Sequence, residues 1–321
     1  MDEDTRVEHL WFSSDVLVLR AEKRLFRVPK SILAARSSVF RDMVAFPQPT
    51  DSETEMVDGS PVVVLHDSAA EVEMFLTAIF DSSYFMPPPA PVTPEAVLGI
   101  LRLAHKYDVH YLQLRALQHL CIPLYFPSVR EHCSPSIPDH HVYNGDTDKA
   151  RCAYYIQAIT VAKEAGALWL LPVSYYQASS YVRAHLLEAA EQGADKHVVD
   201  ACLASQIHLS RASGSIYKFL STPSDTGCPT PDLCNATRFD ELSSYFDGCG
   251  GEEDLCPLSE WDEEDGWTLP LCAHCLSVAK TTHRTAMEEI WDRLPAIYGL
   301  PPWSELQSMK DTMMAAPSAA E

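Results

Sequence analysis

The chain has 321 residues, 46% of them hydrophobic and 21% charged, which suits two folded domains of ordinary size and not a disordered polymer. Its formal net charge of −21, from 45 acids and 24 bases, works against binding a phosphate backbone, because such binding rests on Lys and Arg displacing counterions; no nucleic-acid partner is expected. The amino terminus, Met-Asp-Glu-Asp-Thr-Arg, is acidic where an export signal is basic and then apolar, and no apolar run reaches the roughly 20 residues that span a bilayer. An intracellular protein, cytoplasmic or nuclear and without a membrane partner, is therefore expected. In that setting the ten cysteines read as thiols or metal ligands, not as a disulfide framework.

In chain order, Val16-Leu-Val-Leu19 is an apolar strand, Ala21 to Arg24 a polar reversal, and Leu25, Phe26 and Val28 a second strand that Pro29 stops. Ile32, Leu33, Val39, Phe40 and Met43 then recur at helical spacing, with Ser37 and Ser38 placed to cap the second of two short helices. Pro47 to Ser60 is a polar loop and Val62 to Leu65 a short buried strand. Ser68 caps a helix over about 69–81, whose face is Val72, Phe75, Leu76 and Ile79. After a proline-rich loop, Thr93-Pro94-Glu95 opens a helix with the stripe Val97, Ile100, Leu101, Ala104 and Tyr107, and a further helix runs from Tyr111 to about Leu120.

The order Ser-Asp-Val, strand, turn, Phe-x-Val-x-Lys-x-x-Leu, Ser-x-x-Phe-x-x-Met over residues 13–43 resembles the opening of the BTB/POZ domain, and the helices ending in His105-Lys-Tyr-Asp108 resemble its second half. The resemblance covers about 9–123. It implies an α+β fold, a small sheet sheathed by helices, whose work is protein–protein interaction: self-association as a homodimer, or service as an adaptor or scaffold, a substrate adaptor or a transcriptional co-regulator. It further implies a charged pair, Asp15 and Lys30, near the dimer interface and pocket, with Leu10, Trp11 and Phe12 just before the first strand as apolar dimer residues. Pro29 stands where the family usually has a histidine. The apolar-x-Glu signature that accompanies cullin binding is missing from Met43-Val-Ala-Phe-Pro-Gln-Pro49, so weak or absent cullin binding is expected.

Residues 124–148, rich in proline and polar residues and carrying His132, Cys133, His140 and His141, read as a linker. A mainly α-helical domain follows. Tyr155, Ile156, Ile159, Ala162 and Ala165 form one stripe, Pro172 opens a second helix and Val198 to Leu209 make a third. The region 149–220 resembles the BACK-type extensions that follow BTB domains. Leu168-Trp-Leu-Leu-Pro172 with Tyr175-Tyr176, and the ending Trp291-x-x-Leu-Pro295-x-Ile-Tyr-Gly299-Leu-Pro-x-Trp303-x-x-Leu306, are similar to the BTB proteins abundant in mushroom-forming fungi.

Residues 221–308 carry two cysteine pairs, Cys228-x5-Cys234 and Cys272-x2-Cys275, on either side of 37 residues. Two readings stand: a structural zinc site, in which four thiolates converge to within about 4 Å and leave no open coordination position, or small cysteines filling a helical core. Cys249 and Cys256 lie outside the expected cluster. Phe239 to Asp265 holds 11 acids and no Lys or Arg and reads as a solvated loop, or as a docking surface for a basic partner assisted by Trp261 and Trp267. No Gly-x-Ser-x-Gly, phosphate-binding glycine loop or His-Glu-x-x-His is present, so no catalytic residue is assigned. The competing class is a metal-dependent enzyme that uses these cysteines with His274 or His283.

Overall fold

The computed structural model describes residues 4–13, 15–45, 55–133, 147–248, 258 and 269–315. The chain divides into two compact units, the first over Met1–Pro123 and the second over Leu124–Pro138 with Gly145–Glu321.

In the first unit β1 (Thr5–Trp11), β2 (Val16–Ala21), β3 (Arg24–Pro29), β4 (Met56–Val57) and β5 (Ser60–Leu65) form one sheet in the order β1-β3-β2-β5-β4. The β2–β3 pair is the antiparallel hairpin expected from sequence, with Glu22 in the left-handed region at its turn. Strand β5 adds parallel to the other side of β2, which leaves β2 central and explains why Val16 to Leu19 are buried without alternation. Two strands fall where none was expected. Strand β1 pairs parallel with β3, and β4 forms a tight antiparallel turn with β5 through Asp58 and Gly59, both at positive φ.

Helices α1 (Lys30–Arg36), α2 (Ser38–Ala45), α3 (Ala69–Phe80), α4 (Pro94–Lys106) and α5 (His110–Leu124) surround the sheet edge and face. Pro29 supplies an extended backbone before α1 and needs no N–H there. Thr93 caps α4 by accepting the Ala96 N–H, as its position before Pro94 suggests.

The His105–Asp108 turn is the joint of this unit. The Ser37 hydroxyl donates to the Tyr107 carbonyl and accepts the Phe40 N–H, so one buried side chain both caps α2 and ties it to α4. Phe40 stacks on Tyr107 at 4.7 Å, the Tyr107 hydroxyl donates to Asp67, and Lys106 pairs with the same carboxylate at 2.5 Å. Burial, then the Asp67 carboxylate, pushes the Tyr107 phenol up, so it stays a donor. Asp108 takes a positive φ and accepts from Ser38.

The second unit is helical: α6 (Val129–Cys133), α7 (Asp148–Glu164), a 3-10 turn at Leu168–Leu170, α8 (Leu171–Ser180), α9 (Arg183–Glu191), α10 (Lys196–Ile216), α11 (Lys218–Ser221), α12 (Pro231–Gly248), α13 (Ala273–Ile297) and α14 (Trp303–Met314). Its Trp and Tyr motifs are core. Trp169 is fully buried, Tyr175 stacks on Tyr298 and Trp291 on Trp303, each at 4.9 Å, and the Trp303 indole N–H donates to the Trp291 carbonyl.

Two stretches differ from the sequence reading. Part of the expected linker is built into this unit: α6 lies within it, and Phe126 and Val129 are buried in the core. Pro127 follows the end of α5, but the apolar residues on either side of it have a surface to fill. The described part of the acidic stretch is likewise helix to Gly248, because Cys234, Arg238 and Leu242 recur every four residues and face inward. The remainder of that stretch, with Cys249, Cys256, Trp261 and Trp267, and also His140, His141 and Phe46 to Pro49, lies outside the described residues. No helix among the described residues is long and apolar enough to cross a membrane.

Candidate functional site

Two places carry chemistry or recognition, one in each unit. In the second, the two cysteine pairs converge. The sulfurs of Cys228, Cys234, Cys272 and Cys275 all lie within 4.8 Å of one another, and those of Cys228 and Cys272 are 3.7 Å apart. The spread is somewhat wider than the edge of a zinc tetrathiolate with bonds near 2.3 Å, yet all four point inward and none is in a disulfide.

Local structure delivers each ligand. Cys272 is the N-cap of α13, its Sγ accepting the Cys275 N–H at 3.4 Å, and Cys275 lies one turn on, so the x2 spacing puts both sulfurs at the positive end of one helix. Cys234 lies in the first turn of α12, where its Sγ is 3.5 Å from the Thr230 hydroxyl and accepts the Cys272 N–H at 3.4 Å. That N–H, followed by the hydroxyl, holds the Cys234 thiol down to about 6, the direction that favours thiolate. Burial pushes the Cys275 thiol the other way, the direction that favours the neutral form.

Cys228 hangs from the turn before α12. Asp225 accepts the Gly227 N–H at 2.9 Å and holds the His274 ring at 2.6 Å, and a Cβ on Gly227 would run into that ring. Hydrogen bonds from the turn, first that of Gly227 and then that of His274, keep the Asp225 carboxyl low. The Ser224 hydroxyl is 3.4 Å from Cys275 Sγ and 3.3 Å from a nitrogen of buried Arg238. His274 thus supports the turn and supplies no fifth ligand, while His283 is buried against Tyr217 and Phe219. Asp225, Ser224 and Arg238 escaped the sequence reading. The one trace of Arg238 is that it is the last base before a long run of acids.

His132 and Cys133, conceivable ligands in sequence, are packing residues here. The His132 ring meets Phe126, Tyr176 and Trp291 at 5.2 to 5.5 Å, and Cys133 Sγ donates to the Leu258 carbonyl.

In the first unit the expected interaction residues separate into two roles. Leu10 is 1% exposed and belongs to the unit's own core, whereas Trp11 and Phe12 are half-buried, Trp11 under the Arg6 guanidinium and Phe12 against Phe80 at 5.4 Å. Strand β1 is an edge of the sheet. Asp15 is exposed, at positive φ, and no described ion pair joins it to Lys30; the two meet through the backbone, the Lys30 N–H donating to the Asp15 carbonyl at 2.8 Å.

A comparison with curated proteins finds none that matches the chain. The family model of the BTB/POZ domain matches residues 6–122. A five-stranded sheet with helices tied together at the His105–Asp108 turn, followed by a mainly helical region, agrees with that match, and the amino-terminal unit of this chain is a BTB/POZ domain, a protein-interaction domain.

Proposed function

We propose that this protein is a non-enzymatic assembly factor that self-associates as a homodimer through its BTB/POZ domain and carries its helical region as an adaptor or scaffold. The observation that supports this reading is the domain match over residues 6–122, with β1 an open sheet edge bearing half-buried Trp11 and Phe12. An edge strand offers unpaired backbone groups to a second chain, and amphipathic aromatics beside it supply apolar area; Asp15 and Lys30, unpaired with each other within one chain, are available across such an interface. Leu10 positions the strand from below. Work as a substrate adaptor or transcriptional co-regulator in the cytoplasm or nucleus is the finer form of this role. Light scattering on the full chain at roughly tens of micromolar tests it: a dimer is expected, Trp11→Asp with Phe12→Asp shifts it to monomer, and a strictly monomeric wild type overturns the reading.

The helical region holds structural zinc at Cys228, Cys234, Cys272 and Cys275. The convergence of four sulfurs from two distant pairs favours this reading over core filling. Four thiolates complete a tetrahedron and leave no position for water, so the site closes the chain and does not catalyse, against the reading of a metal-dependent enzyme. Elemental analysis of protein purified without chelator should find about one zinc per chain; less than about half an equivalent leaves four core cysteines.

A further inference from the structure

We propose that Arg238 is the counter-charge of the four-cysteine centre, and that the site is built for a divalent, sulfur-seeking cation whose complex is an anion. This rests on the zinc reading above and adds to it a residue that no ligand pattern reveals.

Four thiolates around a doubly charged cation leave two negative charges in a partly buried place. Such a centre needs donors and positive charge nearby. Arg238 stands one turn after Cys234 on the inward face of α12 and is 4% exposed. One guanidinium nitrogen donates to the Thr222 carbonyl at 2.8 Å and to the Ser224 hydroxyl oxygen at 3.3 Å, both neutral acceptors. Its Nε has no hydrogen-bond partner among the described residues, and its charge helps to hold the Asp225 carboxyl low. Asp225, the acid on the same turn, is exposed and engaged by the Gly227 N–H and the His274 ring.

A guanidinium does not neutralise itself by losing its proton, so its burial calls for negative charge nearby; the exposed Asp225 carboxylate feels the Arg238 charge, and a tetrathiolate centre would add a partly buried one. A chain of polar groups links Arg238 to the cluster. Arg238 donates to the Ser224 oxygen, which lies 3.4 Å from Cys275 Sγ; with a metal bound, Cys275 is a thiolate and the Ser224 hydroxyl is placed to donate to it. The Ser224 backbone N–H donates to the Asn235 side-chain oxygen at 2.8 Å, which anchors the backbone of that residue. Two further N–H groups point at sulfur, those of Cys272 and Cys275. Four neutral thiols would accept these hydrogen bonds less well than thiolates and would bring no negative charge toward the guanidinium.

The test uses the full chain, stripped of metal and titrated with zinc against a chromophoric chelator, with cobalt substitution to read the sulfur-to-metal charge-transfer band. Wild type binds one metal with a four-sulfur spectrum. Arg238→Gln, which keeps a donor but removes the charge, binds zinc roughly 10–100-fold more weakly, as loss of an outer-shell partner does elsewhere. Arg238→Lys, which keeps the charge, recovers most of that loss with the same cobalt spectrum. A wild type that binds no metal overturns the zinc reading itself. Wild-type binding together with unchanged affinity in Arg238→Gln overturns only the role of Arg238, and Arg238→Lys as weak as Arg238→Gln overturns the charge argument. Should Arg238→Gln fail to fold, Ser224→Ala carries the test: it weakens binding severalfold if the hydroxyl links the two, and an affinity equal to wild type refutes the proposal.

Discussion

Gly227 shows how a single residue shapes the four-cysteine cluster. A Cβ at this position would lie 2.6 Å from Cε1 and 2.7 Å from Nε2 of His274, and that ring is pinned by its bond to Asp225. Gly227→Ala therefore forces apart the turn that carries Cys228. A loss of about 1–2 kcal/mol in thermal or denaturant unfolding of the helical region is expected, the usual scale of overpacking. In a His274→Ala background the clash has no partner, so the same substitution should cost clearly less. Equal costs in both backgrounds would mean that the ring does not set the turn. Neighbouring Cys234 and Cys275, driven in opposite directions by hydrogen bonding and by burial, make the same point: the environment of each sulfur, not the residue type, decides what it can do.

Among the elements, α6 has the clearest dependence on pH. It inserts His132 between Phe126, Tyr176 and Trp291, with Nδ1 shut away from water and without a partner, and burial lowers its pKa to about 4. The unfolded chain has this group near 6.5, so between about 6.5 and 4 the unfolded state binds the extra proton and stability rises with pH. Acidification from pH 7 to 5 should thus cost the helical region on the order of 1–2 kcal/mol through this residue alone. His132→Phe, which suits the aromatic surroundings, should flatten that part of the profile. A wild-type and variant pair with parallel pH profiles would exclude His132 as its source. Helix α12 teaches a different lesson. Its acids mark it as solvated, but Cys234, Arg238 and Leu242 give it an inward face too sparse to stand out among polar neighbours.

For the whole molecule, a BTB/POZ domain followed by a mainly helical region fits a protein-interaction role. The segment from Met43 to Pro49 has no apolar-x-Glu signature, so binding to a cullin amino-terminal domain should be weak or absent in a titration with the intact chain. A dissociation constant below about 1 μM, roughly −8 kcal/mol or better, would reverse that expectation. After residue 125 the chain holds 28 acids to 13 bases, a balance that works against attraction to a phosphate backbone.

The sequence by itself determined whatever is local. Alternation and apolar runs gave β2, β3 and β5, the Thr93-Pro94 and Pro29 signals gave helix starts, and the x2 cysteine spacing gave two sulfurs on one helix end, because backbone geometry acts over three or four residues. Only the tertiary structure decided what depends on distant partners. Strand β1 is polar at most positions and is a strand because β3 accepts it; Leu10 belongs to the core because that pairing buries it. Phe126 and Val129, in a stretch punctuated by prolines, became core because α8, α10 and α13 left them a surface. Cys228 and Cys234 met Cys272 and Cys275 across 37 residues, and Arg238 came to be linked to Cys275 through Ser224, through packing of α12 on its inward face, an arrangement that no short-range pattern encodes.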